Sequence, residues 1–244
     1  MSHSKHVAGV DGCPNGWVAV ALNEGIGTVI QAQNFPELLG QLNMAETILI
    51  DMPIGLASNK AEEAYRPERM ARRFIPNKGT SIFNAPAEQA AYCTDYTDAN
   101  MKNRDILGKG LSKQSYYICQ KIRELDTFIK EHPFQGSKLM ESHPEVCFAR
   151  LASDKKPILH HKRTSVGQQK RLELLQSYAH DVVEAVKKEL SSSTELQRIA
   201  DDVIDATCLA IVALYGVENE FQTIPVEPRK NGHNISMQMV YYDG

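Results

Sequence analysis

The run Thr47–Asp51 (TILID) limits what this chain can fold into more than any other stretch. Its first four residues are β-branched or apolar, the filling of a buried strand, yet the fifth is a carboxylate. A buried carboxylate without a partner is costly, so Asp51 needs a partner or a chemical role. The surrounding segments give the context. His6–Gly12 (HVAGVDG) is a short strand closing on Asp-Gly, CPNG supplies turn chemistry, and Trp17–Leu22 (WVAVAL) is a second strand, so the pair reads as a hairpin. Gly27–Phe35 adds a third strand. Pro36–Ala45 opens with proline at a first helical position and carries leucines at helical spacing. Three strands, a helix and a buried strand open an α/β domain.

Residues 57–112 are less regular and read as an insertion: an Arg-rich helix over Lys60–Phe74, the loop PNKGTSIFNAP, then a polar helical stretch. Ser112–His132 is an amphipathic helix, with Tyr117, Ile118, Ile122, Leu125, Phe128 and Ile129 at three- and four-residue steps. Lys138–Leu151 reads as a strand, a break at His-Pro and a short helix. A basic loop leads to a helix over Val166–Leu190, and Ala200–Gly216 is a largely apolar helix ending at glycine. Ser236–Tyr242 is strand-like, an edge that could pair with a second copy in a homodimer.

With 244 residues the chain can bury one good core, so a single domain over residues 1–244 is the simplest organisation. The net charge of -3 argues against attachment to nucleic acid by overall charge but leaves room for a local basic groove. Five scattered cysteines without a C-x-x-C pair exclude a disulfide framework and a zinc site, and fit a reducing cytoplasm. Neither a signal-peptide pattern nor an apolar run of about 18 residues is present, so a cytoplasmic protein with no membrane contact is expected.

Carboxylates recur at the ends of apolar elements. Asp11 closes the first strand, Asp51 the strand after the first helix, and Glu141 leaves a strand of its own. Asp201, Asp202 and Asp205 open the last apolar helix. Taken singly, Asp11 before glycine suits a turn, and Asp201 and Asp202 suit helix capping. Asp205 lies a turn inside the helix, on one face with Asp201 and Asp202. Several carboxylates meeting in a partly buried site repel one another unless a cation neutralises them, and Mg²⁺ or Mn²⁺ is the hard cation suited to oxygen ligands.

The segments GVDGCPNGWVAVAL, ILIDMPIGL, RPERMARRF, SIFNAP, GKGLSKQSYYICQKIRELD, ESHPEVCF and DDVIDA resemble a bacterial family catalogued as domain-of-unknown-function family 429, described as predicted nucleases of RNase H-like fold. The resemblance implies a mixed five-stranded sheet flanked by helices, with a helical insertion at about 57–112. Holliday-junction resolvases of that fold carry acidic ligands on the first strand, the fourth strand and the last helix. By position these become Asp11, Asp51, and Asp202 with Asp205, as both catalytic and metal-holding groups. Glu141, Glu145 and His143 in ESHPEV belong to the family's own pattern and form a second tier, His143 as a proton shuttle or an orienting group. The resemblance also assigns Arg66, Arg73, Lys162 and Arg171 to phosphate or substrate, and Lys109 and Lys113 stand near a helix start where backbone N–H groups also suit an anion.

The leading expectation is therefore a Mg²⁺- or Mn²⁺-dependent nuclease, a hydrolase with nucleic acid as its partner. One alternative is a small-molecule phosphotransferase or ATP-handling enzyme on the same fold, although such enzymes need a second domain and a second Asp-Gly turn. The other is a non-catalytic binding module that keeps the fold.

Overall fold

The computed structural model describes residues 6–23 and 25–244. β1 (Val7–Cys13), β2 (Gly16–Asn23) and β3 (Ile26–Ala32) are followed by α1 (Phe35–Gln41) and β4 (Thr47–Ile50). The insertion holds α2 (Lys60–Glu63), α3 (Glu68–Ala71), the 3-10 turns Arg72–Phe74 and Gly79–Ser81, α4 (Glu88–Ala91) and α5 (Tyr96–Leu107). Next come α6 (Lys113–Tyr117), α7 (Cys119–Glu131), α8 (Pro133–Gly136), β5 (Leu139–Glu141) and α9 (Pro144–Leu151). The chain ends with α10 (Ser165–Gln176), α11 (His180–Ser192), α12 (Thr194–Arg198), α13 (Ala200–Asn219), β6 (Gln222–Lys230) and β7 (Ser236–Tyr241).

Five strands form a mixed sheet in the order β3-β2-β1-β4-β5. β1, β2 and β3 are an antiparallel meander, while β4 pairs parallel to β1 and β5 parallel to β4. This is the α/β arrangement expected from the sequence, and it is compatible with an RNase H-like fold. Side chains alternate between two buried layers, as strand geometry requires. Val7, Val18, Val20, Leu22 and Leu49 pack with α9, α11 and α13. Ala8, Val10, Ala19, Ile48, Ile50 and Leu139 pack with α1 and α7 on the other face.

Several elements differ from expectation for visible reasons. The Lys60–Phe74 helix is broken into two single-turn pieces around Pro67, followed by a 3-10 turn. The Ser112–His132 helix breaks at Ile118, where the first half is tied back to the insertion by side-chain bonds. Ser115 and Tyr116 bond backward to Asn84 O and Thr94 O in the insertion, whereas α7 packs beneath the sheet. The single helix expected over Val166–Leu190 divides at Ser177–Ala179, where Ser177 Oγ donates to Leu174 O and competes with the helical ladder. β6 went unrecognised in the sequence because Pro225, Pro228 and its exposed charges break strand patterning. It pairs with β7, whose Val240 O also accepts from Ser142 Oγ. Among the described residues no helix is long and apolar enough to cross a membrane.

A close approach between β1 and α13 sets the position of that helix. A Cβ on Gly9 of β1 would lie 2.1 Å from Ala206 O and 2.2 Å from Ala210 N. Only glycine lets strand and helix touch there. Gly9→Ala is expected to cost about 3 kcal/mol, at the upper end of typical overpacking, and to lower the Tm by roughly 6–12 °C. Thermal unfolding at neutral pH checks this, and an unchanged Tm would show that α13 yields freely.

Candidate functional site

Parity decides which carboxylates meet. Asp11 stands two residues beyond Gly9, and Asp51 two beyond Leu49, on the face covered by α13. Asp202 and Asp205 lie on α13 near the stripe of Ala206, Leu209 and Ala210 that contacts Gly9. Asp51 N donates to Val10 O at 3.0 Å, so the ends of the parallel strands β1 and β4 bring the two aspartates side by side. Asp11, Asp51, Asp202, His143, Lys121 and Lys162 line a cleft of about 340 Å³ at these strand ends.

Lys162 enters from the loop between α9 and α10 and takes the cation position. Its Nζ lies 2.7 Å from Asp205 Oδ2 and 3.8 Å from both Asp201 Oδ2 and Asp202 Oδ1. Arg163 Nε donates to Asp201 Oδ2 at 3.1 Å. Asp201 therefore acts as an ion-pair partner, and α13 begins without a side-chain cap, contrary to the capping role its position suggested. The loop is held by its own bonds: Thr164 caps α10 through Gly167 N, and Arg171 donates to His160 O and Gly167 O.

One ammonium cannot balance this many carboxylates. Burial, then Asp51, Asp202 and Asp205, hold the Asp11 carboxyl well above its usual range against the pull of Lys162. Burial raises Asp51, opposed by His143 and Lys162. Burial and neighbouring carboxylates, chiefly Asp201, push Asp202 to about 7; burial raises Asp205 to about 6 against Lys162. Burial works against the charged form of Lys162, but Asp205 and Asp11 more than compensate and hold its pKa above the ordinary value. Asp205, only 2 % exposed, keeps Oδ1 without a hydrogen-bond partner among the described residues.

Hard oxygen donors and an orphaned buried Oδ1 suit Mg²⁺ or Mn²⁺ in chemistry. Among the described residues, however, no three His, Cys, Asp or Glu side chains stand at metal-holding separation. The carboxylates gather around Lys162 instead.

The remaining site candidates fall into two groups. Glu141, two residues beyond Leu139, has the parity of the α1–α7 face; it reaches the lining of the same cleft but is bound by Arg66 Nη2 at 3.0 and 3.1 Å while accepting from Ile54 N at 2.7 Å. Burial raises Glu141, and the Arg66 guanidinium opposes it. Arg66 also pairs with Glu68 and is 4 % exposed, so it is a buried counter-ion out of reach of a phosphate. Arg171, 1 % exposed, is likewise committed: its Nη2 lies 2.6 Å from Glu145 Oε1, which also takes Lys78 Nζ at 2.7 Å. Glu145 Oε2 has no partner, and its charge is felt by Asp51 and Asp205. His143 accepts from Glu145 N at Nδ1 and stands 3.4 Å from Ser81 O through Nε2, a positioning arrangement beside Asp51. Arg73 is exposed and outside the cleft lining; Lys109 pairs with Glu63, and Lys113 covers the Tyr96 ring. Lys121, Arg163 and Lys78 were not singled out in the sequence. Arg163 was signalled by adjacency to Lys162, whereas Lys121 and Lys78 carry no local signature.

Arg66→Met leaves Glu141 and Glu68 buried without their cation, at a cost of about 3–5 kcal/mol and a Tm lower by roughly 6–20 °C. A variant of unchanged Tm with weakened anion binding would instead restore Arg66 as a substrate contact.

The raised carboxyls also set a pH dependence. Asp202 titrates near 7 in the fold against 3.8 ordinarily, so between those values the folded chain holds a proton that the unfolded chain has released. The contribution is present below about pH 4 and lost as pH rises through 7. With EDTA present, Asp202→Asn should match the wild-type Tm near pH 4 and exceed it at pH 8 by about 3–6 °C, or roughly 1–2 kcal/mol. A variant no more stable at pH 8 contradicts the charge imbalance.

No curated protein and no solved structure matches the chain. The model of a protein family of unknown function, DUF429, matches residues 9–230, which span both strand-end aspartates, the lysine loop and the acidic turn of α13. The chain belongs to that family.

Proposed function

We propose that this protein is a divalent-metal-dependent phosphodiesterase acting on nucleic acid. One observation carries the reading: Asp11, Asp51 and Asp202 come from three separate elements to line one cleft, the buried Asp205 is electrostatically coupled to them, and Lys162 is the lysine whose charge all four feel. Such a concentration of unmatched negative charge beside an open cleft is costly to maintain and marks a functional site. With Lys162 displaced and the side chains drawn closer than they stand here, Asp11, Asp51, Asp202 and Asp205 would hold Mg²⁺ or Mn²⁺, which when bound supplies charge neutralisation and polarises water and a phosphoryl oxygen.

The chain's own groups divide the remaining work. Lys162 and Lys121 border the cleft and can seat phosphate oxygens, with Arg163 at its rim. Lys121 is held against the Trp17 ring, 5.1 Å from its centroid, and donates to Gly16 O, so its charge is fixed in place. His143 fixes the Gly79–Ser81 turn against the cleft through Ser81 O. The local basic groups answer the objection raised by the acidic net charge, since phosphate binding needs cations only along the groove.

One observation favours a second reading, a non-catalytic module. Lys162 already sits among the carboxylates, as a permanent structural cation would. Mn²⁺ titration separates the two. The enzyme reading expects calorimetric Mn²⁺ binding that Asp51→Asn removes. It also expects Mn²⁺-dependent cleavage of labelled oligonucleotides, reduced in that variant by on the order of 10²–10³, the scale of losing one charge-stabilising group. A folded wild-type chain that binds no Mn²⁺ and leaves single-stranded, duplex and branched substrates intact favours the module.

A further inference from the structure

Beside the carboxylate cleft lies a second cavity, of about 410 Å³, walled by the SIFNAP segment and the loop that precedes α6. The two share Ile82 and Phe83 as a common wall. The second cavity differs in charge: among the described residues no carboxylate borders it, while Arg72, whose guanidinium meets only neutral oxygens, does, together with Lys109, which is paired with Glu63. Its volume lies within the roughly 300–1,000 Å³ of small-ligand sites.

Phe83 is 36 % exposed, although its neighbours are tightly fixed. Ile82 is buried, and its carbonyl accepts from Arg72 Nε and Nη2 at 3.1 and 2.8 Å. Arg72 Nη2 also reaches Asn84 Oδ1 at 2.7 Å, while Asn84 O accepts from Ser115 Oγ and Ala85 N donates to Glu68. An apolar ring is thus held rigidly toward solvent between two cavities. Other exposed rings have ordinary explanations. Arg229 covers Tyr65, Lys130 covers Tyr92, Tyr117 leans on Tyr116, and Phe134 borders neither cavity.

We propose that the second cavity seats one unpaired nucleobase of a nucleic-acid strand, stacked on Phe83, with the adjoining phosphate directed to the carboxylate cleft. This rests on the phosphodiesterase reading and narrows its substrate to single-stranded or locally unpaired nucleic acid. A base inside a duplex has both faces covered by its neighbours, so a fixed aromatic platform is useful only to a base out of the stack. Asn84, Ser112 and Gln114 bring amide and hydroxyl groups that suit a base edge, and Arg72, which has no carboxylate partner among the described residues, favours the negative charge beside it.

The test uses the full chain in EDTA with three probes: a single-stranded oligonucleotide carrying 2-aminopurine, the same strand in a duplex, and free 2-aminopurine nucleoside monophosphate. The single strand should bind most tightly, with a change in 2-aminopurine emission. Phe83→Ala should weaken it about tenfold or more, the loss expected for one base–aromatic stack, and abolish the emission change; Phe83→Trp should restore both. Matching melting curves confirm that this exposed position leaves the fold intact. Equal single-strand affinity in wild type and Phe83→Ala overturns the base site, as does tighter binding of the duplex. Free nucleotide binding as tightly as the strand overturns the assignment to a strand. If wild type and Phe83→Ala cleave single strands equally with Mn²⁺, the base site fails and the phosphodiesterase reading stands. A wild type that neither binds nor cleaves any strand removes both.

Discussion

The contact between Gly9 and α13 governs the geometry of the site. A side chain there would push the helix away from β1, and the acidic first turns of α13 would no longer overlie the strand's end. Because β4 runs parallel to β1, its last residue delivers Asp51 to the same place, one hydrogen bond from Val10 O. The cleft therefore forms where parallel strands end and their connections diverge, the usual location for a site on an open α/β sheet. Its acidic groups are separated by up to 194 positions in sequence, yet each is placed by a backbone contact rather than by a flexible loop. Lys162 is the exception, carried by the loop between α9 and α10.

Buried carboxylates in this protein are of two kinds. Glu141 and Glu145 have arginine partners that are themselves buried, and each pair fastens something larger. Arg66 also donates to Ile54 O and Gly55 O, tying the segment after Asp51 to β5 and to the insertion. Arg171 joins Glu145 to His160 O, and so joins α9 to the loop that bears Lys162. Removing either arginine would strand a buried charge, which makes these pairs a frame whose breakage is costly even where the intact pair adds little. The aspartates around Lys162 have no such matching. Their nearest cation is a partly exposed lysine, 2.7 Å from Asp205 but 3.8 Å from Asp201 and Asp202.

Much of this was legible in the sequence. The order of three strands, a helix, a buried strand and a closing apolar helix is observed, and Asp11, Asp51, Asp202 and Asp205 do converge. Parity within strands could have gone further. Leu139 to Glu141 is the same two-residue step as Leu49 to Asp51, but Leu139 faces the α1–α7 layer and Leu49 the α13 layer. Which layer a given residue faces depends on tertiary pairing, and that information is not local. The same limit explains Arg66 and Arg171: a basic residue in a charged run looks available for phosphate until its buried carboxylate partner, 75 or 26 positions away, is known. Helix breaks at Ile118 and Ser177 were hidden because no glycine or proline marks them.

The choice of lysine at the centre of the aspartate group fits the proposed function better than a purely structural one. Arginine would grip carboxylates through a planar fork, as Arg66 and Arg171 do elsewhere in the molecule, and such a grip resists release. Lysine is a compact charge on a flexible stem, and at position 162 it rides on a surface loop with about a third of its side chain exposed. It touches one aspartate closely and two others only at 3.8 Å. It can therefore move from carboxylate to phosphate once a further cation takes over the charge of the buried Asp205. The framework carboxylates have cations too rigid and too enclosed to leave. Under the phosphodiesterase reading, the imbalance that costs the metal-free protein stability at neutral pH is what makes the cleft receptive to a further cation, and Lys162 then becomes available to the substrate.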